Sequence, residues 1–212
     1  MPYHARTFDH LKGLRGFSDR LLKSHLGLYQ GYVKNTNHLA AVLLNKVKLG
    51  KANTIEYAEM KRRFGWEFNG MRLHELYFEN LSARPVPQRK ASPLYEKIRQ
   101  DFGQSGTWER GFVGVGGMRG IGWAVLTCDP VSGRLFNVWL DEHDAGFPVG
   151  ATPLLVMDVF EHAYIHDYGM DRPAYVQAFM KAIDWRVVEG RFESSTFRPG
   201  LALAVNKRRR AG

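Results

Sequence analysis

Apolar residues recur at spacings of three and four through FSDRLLKSHLGLYQGYVKNTNHLAAVLLNKV (17–47), which predicts a long amphipathic helix. Ser18, just before DRLL, stands where an N-cap is expected. A second helix is predicted from Thr54, another capping residue, through YAEMKRRFGWEFNGMRLHELYFENL to about residue 82. So short a connection between two long helices predicts an antiparallel hairpin. SARPVPQRKASP then gathers three prolines among small and charged residues and reads as a linker.

Beyond the linker the pattern alternates. SPLYEKIRQDFG and GTWERGFVGVGGM read as helices, the second weakened by its glycines. GWAVLTCDP and GRLFNVWLDE are rich in strand-forming residues, and the intervening DPVSG suits a hairpin loop of five residues. TPLLVMDVF is expected as a third strand running into a helix, VFEHAYIHDYG, that Gly169 stops. PAYVQAFMKAIDW follows as one more helix, begun by Arg172-Pro173. The chain thus divides into an N-terminal helical hairpin domain (1–83), a linker (84–91) and a C-terminal α/β domain (92–212). A basic tail starts at about residue 198.

Composition narrows the class. A chain of 212 residues with 44% hydrophobic content can bury a sizeable core, and its longest apolar runs fall far short of a membrane span. The start MPYHARTFDH lacks the features of a signal or transit peptide, so a cytoplasmic location is expected. Cys128 is the one cysteine, which excludes an internal disulfide and a thiolate cluster; any metal must be held by nitrogen and oxygen. The net charge of +9 suits an anionic substrate or a nucleic acid. Much of it is local, however, in MKRRF (60–64) and the terminal NKRRRAG, so a solvated helix face and tail account for it without a nucleic-acid partner.

Four residues carry candidate chemistry. Asp158 and His162 are four apart in MDVFEHAYIHDY, so one short segment can offer two ligands. His74 lies among Leu73, Leu76 and Tyr77 in the second helix. His25 lies among Leu21, Leu22 and Leu28 in the first, with Tyr32 two turns on and nearly on the same face. In an antiparallel hairpin the two histidines can face each other. Singly, each histidine reads as a core or surface residue with a satisfied hydrogen bond. Together, three histidines and a carboxylate match the donors favoured by iron, manganese or zinc, and residue chemistry alone leaves redox iron or manganese open against hydrolytic zinc.

These same stretches resemble the iron/manganese superoxide dismutase family. DVFEHAYIHDYGMDRPAYV followed by IDW resembles the family's D-x-W-E-H-A-Y signature with its downstream R-P-x-Y and N-W. GIGWAVL, HELYFENL and HLGLYQGYVKNTN resemble its G-S-G-W-x-W-L strand, N-H-x-x-[FY]-W segment and first-helix motif, in the expected order from about residue 8 to 193. The resemblance implies an α+β fold in which a three-stranded antiparallel sheet belongs to the C-terminal domain and the metal lies between the two domains. It implies His25, His74, Asp158 and His162 as ligands of one iron or manganese per subunit, with a water or hydroxide as the fifth. The activity implied is dismutation of two superoxide radicals to dioxygen and hydrogen peroxide as the metal cycles between its +3 and +2 states.

Further roles are implied residue by residue. Tyr32 and His143 would hydrogen-bond towards the solvent ligand, His143 taking the place that glutamine fills elsewhere, because Gly70 supplies no donor from the second helix. Trp123, Phe78, Phe160 and Trp185 would form an apolar shell around the metal. Glu161 would pair with His162 of the partner subunit in a homodimer or dimer-based tetramer. Some positions depart from the family pattern. Tyr29 replaces a histidine and Ile165 a tyrosine that together bridge the usual dimer interface, so that bridge should be missing. Arg119 stands for a phenylalanine, Asp184 for an asparagine, and the spacing from His25 to Tyr32 is one residue short. His166 has no counterpart and reads as a surface or helix-end histidine. The alternative is a dismutase-like fold kept as a non-catalytic structural or nucleic-acid-associated protein.

Overall fold

A computed structural model describes residues 1–196; the basic tail lies outside the described residues. Two long helices, α1 (Asp19–Lys48) and α2 (Ile55–Glu79), form the expected hairpin. Both begin as the sequence predicts, with Ser18 Oγ accepting from Leu21 N and Thr54 Oγ1 from Tyr57 N. Such a cap is worth about 1 kcal/mol, because it satisfies an N–H that the helix itself cannot. Ser18 also donates to Asp167 through both its backbone N–H and its hydroxyl, at 2.6 Å each, tying the start of α1 to the segment that follows the sheet.

After an irregular stretch come α3 (Pro93–Phe102) and α4 (Ser105–Gly116). The sheet follows, with β1 (Gly122–Cys128), β2 (Leu135–Asp141) and β3 (Thr152–Asp158) in the antiparallel order β2-β1-β3. The loop between β1 and β2 is 129–134, one residue longer than expected, because Asp129 N bonds to Arg134 O and closes it there. β1 is central and buried at every position. α4 forms despite its glycines, and one of them has a packing reason. A Cβ on Gly116 would come within 2.6 Å of the Met157 methyl, so glycine lets the helix end sit close on β3.

Two expectations about helices are corrected. VFEHAYIHDYG is not one helix. Asp158 is the last residue of β3, its Oδ1 accepts from Phe160 N at 2.9 Å, and this local turn sends the chain into a short 3-10 turn (Glu161–Ala163) and one turn of helix, α5 (Ile165–Tyr168). PAYVQAFMKAIDW is also interrupted. α6 (Arg172–Ala182) ends where Ile183 pairs with Leu81 across a single antiparallel bridge, fastened by Ser82 N to Ala182 O and Asp184 N to Asn80 O. A further helix, α7 (Trp185–Thr196), starts at once, although the sequence reading does not distinguish it.

α2 is held to the sheet by a buried amide. Asn80 exchanges hydrogen bonds with the backbone of Val156, receiving from its N–H at 2.9 Å and donating to its carbonyl at 3.3 Å. Arg191 on α7 spans the same junction, donating to Leu154 O, Leu76 O and the Glu79 carboxylate. These bonds set where the second half of α2 stands against β3.

Candidate metal centre

Four elements each contribute one donor to a common point. His25 comes from α1, His74 from α2, Asp158 from the end of β3 and His162 from the 3-10 turn, and their ligating atoms lie within 4.8 Å of one another. The Nε2 atoms of His25 and His162 each stand 3.0 Å from Asp158 Oδ2, and that of His74 stands at 3.5 Å. His25, His74 and Asp158 are buried, while the His162 side chain keeps 26% of its exposure in the single chain. α1 runs unbroken through this region, so the seven-residue step from His25 to Tyr32 makes almost two whole turns. The short spacing therefore keeps both residues on the site-facing side.

The tautomer of His74 follows from its partner. Nδ1 lies 2.6 Å from Gly70 O, and a carbonyl can only accept, so Nδ1 carries the hydrogen and the neutral ring presents a lone pair at Nε2. That Nε2 is buried with no hydrogen-bond partner. A lone pair facing a carboxylate oxygen is repulsive, and the natural occupant of the space between them is a cation. Burial lowers the pKa of both His25 and His74, the His74 shift being the larger and helped by its neighbour His25. Burial would raise Asp158, but the charge and hydrogen bond of His162, with the bond from His25, outweigh it and hold the carboxyl well below the usual range. At neutral pH the donor set is two neutral buried imidazoles, His162 and a carboxylate. Without sulfur, and with the orphaned Nε2, it fits iron or manganese.

A second hydrogen-bonded chain adjoins the donors. The Trp123 indole N–H, which can only donate, gives to His143 Nδ1 at 3.0 Å. His143 is therefore neutral with its hydrogen on Nε2, where it meets Tyr32 Oη at 2.8 Å. Burial lowers the His143 pKa to about 4, in keeping with the neutral ring. Since Tyr32 Oη accepts from His143, its own hydrogen is free to donate elsewhere. Burial, then the charges of Asp158 and Glu67, push the Tyr32 pKa up, so the phenol keeps that hydrogen. Gly70 makes this arrangement possible: a Cβ there would meet the Tyr32 ring at 2.7 Å.

Aromatic rings enclose both groups. Phe78 packs on His25 with centroids 4.9 Å apart, Trp123 on His74 at 5.0 Å, and Phe160 on His143 at 4.8 Å and His162 at 5.1 Å. Trp66, Gly70, His74 and Phe78 recur every fourth residue, so a single ridge of α2 supplies one of the four donors, the two residues a turn to either side of it and, against Tyr32 and His143, the Trp66 ring. Trp185 does not join this shell. It opens α7, and its ring packs edge-on against Trp108 at 5.4 Å, because the break at Ile183 turns it towards α4.

The remaining positions sort by location. Tyr29 is fully buried; its hydroxyl donates to Glu75 Oε1 and accepts from Arg6 N, so it is committed within the chain. Glu161, Ile165, His166 and Arg119 are exposed. Asp184 is buried and pairs with Arg186 at 2.7 Å. Two supporting tyrosines were not singled out from sequence: Tyr175, on α6, donates to the backbone carbonyl of Asp158 at 2.6 Å, and Tyr77 lies 3.3 Å from the Tyr175 hydroxyl. The R-P-x-Y motif contains Tyr175, so the signal was present but its target was not.

Residues 90–191 match the family model for the C-terminal domain of iron/manganese superoxide dismutases. The chain is 38% identical over 197 residues to a superoxide dismutase [Fe] of Aquifex pyrophilus, an overlap spanning 88% of this chain and 90% of that one. The chain belongs to the iron/manganese superoxide dismutase family. Relatives named for each metal occur. The superoxide dismutase [Fe] of Cupriavidus metallidurans is 36% identical over 86% of this chain and 91% of its own. Superoxide dismutase [Mn] 2 of Haloferax volcanii is 35% identical over 79% and 82% respectively. Within this member of the family, hairpin and sheet meet at the four-donor cluster, as the resemblance implied for the fold.

Proposed function

We propose that the protein is a superoxide dismutase, converting two superoxide radicals into dioxygen and hydrogen peroxide at one iron or manganese ion per subunit held by His25, His74, Asp158 and His162. The observation that carries this reading is the buried, unpartnered Nε2 of His74 within 4.8 Å of the three other donors. A metal held there would supply the one-electron couple that dismutation requires. The protein's part is to hold the donors and handle protons. Asp158 stays ionised and His25 and His74 stay neutral, so a metal ion bound there would meet one compensating carboxylate and would keep a surplus of positive charge that favours an anion. Trp123 fixes the His143 tautomer, His143 Nε2–H orients Tyr32, and the Tyr32 hydroxyl hydrogen is available at the edge of the donor cluster, where peroxide formation needs protons. Phe78, Phe160 and Trp123 limit access to a small molecule.

The names of the relatives support a dismutase over a non-catalytic structural or nucleic-acid-associated protein. We place two domains, 1–83 and 92–212, about the irregular linker. Association through the face bearing Glu161 and Ile165 would cover His162, whose 26% exposure leaves one ligand open in the single chain. A homodimer, or a tetramer built from it, is the assembly this favours. Among the described residues no helix is long and apolar enough to cross a membrane, and with a lone buried cysteine a cytoplasmic location is the reading adopted. Metal analysis of the purified protein beside a superoxide assay tests the function. About one iron or manganese per chain with rapid dismutation is expected, and redox-silent protein carrying zinc would sink it.

A further inference from the structure

We propose that Trp66 and Asn69 of α2 are positioning residues that clamp the turn 141–145 shut and so keep His143 inserted between Trp123 and Tyr32. The inference rests on the reading of His143 and Tyr32 given above. His143 is fully buried although it belongs to a turn at the end of β2, where side chains ordinarily point to solvent. Within the turn the backbone bonds are Asp141 N to Ala145 O and its reciprocal, and Glu142 N bonds outside it to Ile121 O, just before β1. Glu142 has φ +46, a left-handed conformation that a residue with a side chain adopts at a cost, so the turn needs outside help.

That help comes from α2 through two hydrogen bonds to consecutive residues. The Trp66 indole N–H donates to Glu142 Oε2 at 2.9 Å, holding the strained residue by its side chain. Asn69 Nδ2 donates to His143 O at 2.8 Å, holding the backbone of the histidine itself. The Trp66 ring also meets the imidazole edge-on at 4.4 Å and lies 5.5 Å from Tyr32, closing the outer side of the pair. Trp66 is braced in turn. The Arg63 guanidinium lies 3.8 Å over the indole and is anchored by a bond to the buried carboxylate of Glu67 at 2.8 Å. Both clamping residues sit on the helix that carries His74, so α2 fixes a ligand and the group beside it in one rigid frame.

Carbethoxylation with diethyl pyrocarbonate, mapped by mass spectrometry on the metal-loaded protein, reads whether His143 is shielded, with exposed His38 and His166 as internal standards. Trp66→Phe keeps the ring and loses the donor; Asn69→Leu keeps the helix and loses the amide. Each should raise His143 reactivity roughly threefold to tenfold, and the double variant more, as expected when a hydrogen bond restraining a local opening is removed. Glu142→Ala should do the same, whereas Glu142→Gln, which keeps an acceptor, should restore the shielding. Arg62→Gln, an exposed site on the same helix, controls for general loosening. Reactivity within twofold of the parent in Trp66→Phe, Asn69→Leu and their combination would overturn the clamp. Metal content and turnover measured on the same samples separate the two readings. Unshielding at unchanged metal supports the clamp whatever the turnover, and His143→Ala with full turnover at unchanged metal would overturn the role of His143 and leave the clamp standing.

Discussion

Gly70→Ala perturbs the centre by a single methyl group, and its effect can be worked from the packing. The new Cβ would sit 2.7 Å from Tyr32 Cδ1 and 2.8 Å from Cε1. Ordinary carbon contacts are about 3.5–4.0 Å, so the ring must retreat by roughly 0.8 Å or more. It has little room to do so, being bonded to His143 at 2.8 Å and packed on Trp66 and His74. Overpacking of this kind costs about 1–3 kcal/mol, against which alanine in a helix regains about 0.5–1 kcal/mol. Gly65→Ala in the same helix isolates the helix gain, since a Cβ there meets nothing within 4 Å. The difference between the two variants is then the overpacking, about 2–12 °C in Tm at roughly 2–4 °C per kcal/mol. Paired thermal melts at equal metal content measure it. Turnover should also fall in Gly70→Ala, because a displaced ring lengthens the bond to His143. If Gly70→Ala melted as high as Gly65→Ala and turned over normally, the placement of Tyr32 against Gly70 would be wrong.

Other consequences are equally direct. His74→Ala and Asp158→Ala should each abolish metal retention and dismutation; full metal content in either, by elemental analysis, would refute the ligand assignment. His143→Ala should keep its metal and lose turnover, a combination that metal analysis and a rate measurement together can contradict. The metal-free protein should lose stability as pH falls below about 6.5, because the unfolded histidines bind protons there while folded His25, His74 and His143, with lowered pKa values, do not. His143 alone, at about 4, accounts for roughly 3 kcal/mol between pH 6.5 and 4, and Asp158 adds a further loss only below the ordinary carboxylate range. Denaturant titrations giving the same unfolding free energy at pH 7 and pH 5 would falsify this.

The helical hairpin, both of its caps and all three strands were legible because each is written in local periodicity and in residues whose side chains act within three or four positions. α7 was not, since the end of α6 depends on Ile183 meeting Leu81, a contact between residues a hundred positions apart. For the same reason Trp185, which motif order put beside the metal, faces Trp108. The helix expected over 159–169 failed in a different way. Its apolar spacing allows a helix, but the Asp158 carboxylate caps Phe160 N and ends the strand in a turn.

By itself the sequence determined which atoms are available as donors: with a single cysteine, nitrogen and oxygen, and with His25 and Tyr32 seven apart, one face of one helix. Motif order carried the family. The tertiary structure decided what each donor does there. Gly70 O fixes the His74 tautomer, Trp123 that of His143, and the left-handed Glu142, held by Trp66, turns an unremarkable loop histidine into a buried one. Hydrogen-bond direction and burial depend on partners distant in the chain, and those partners exist only once α2, the sheet and the turn beside it have packed together.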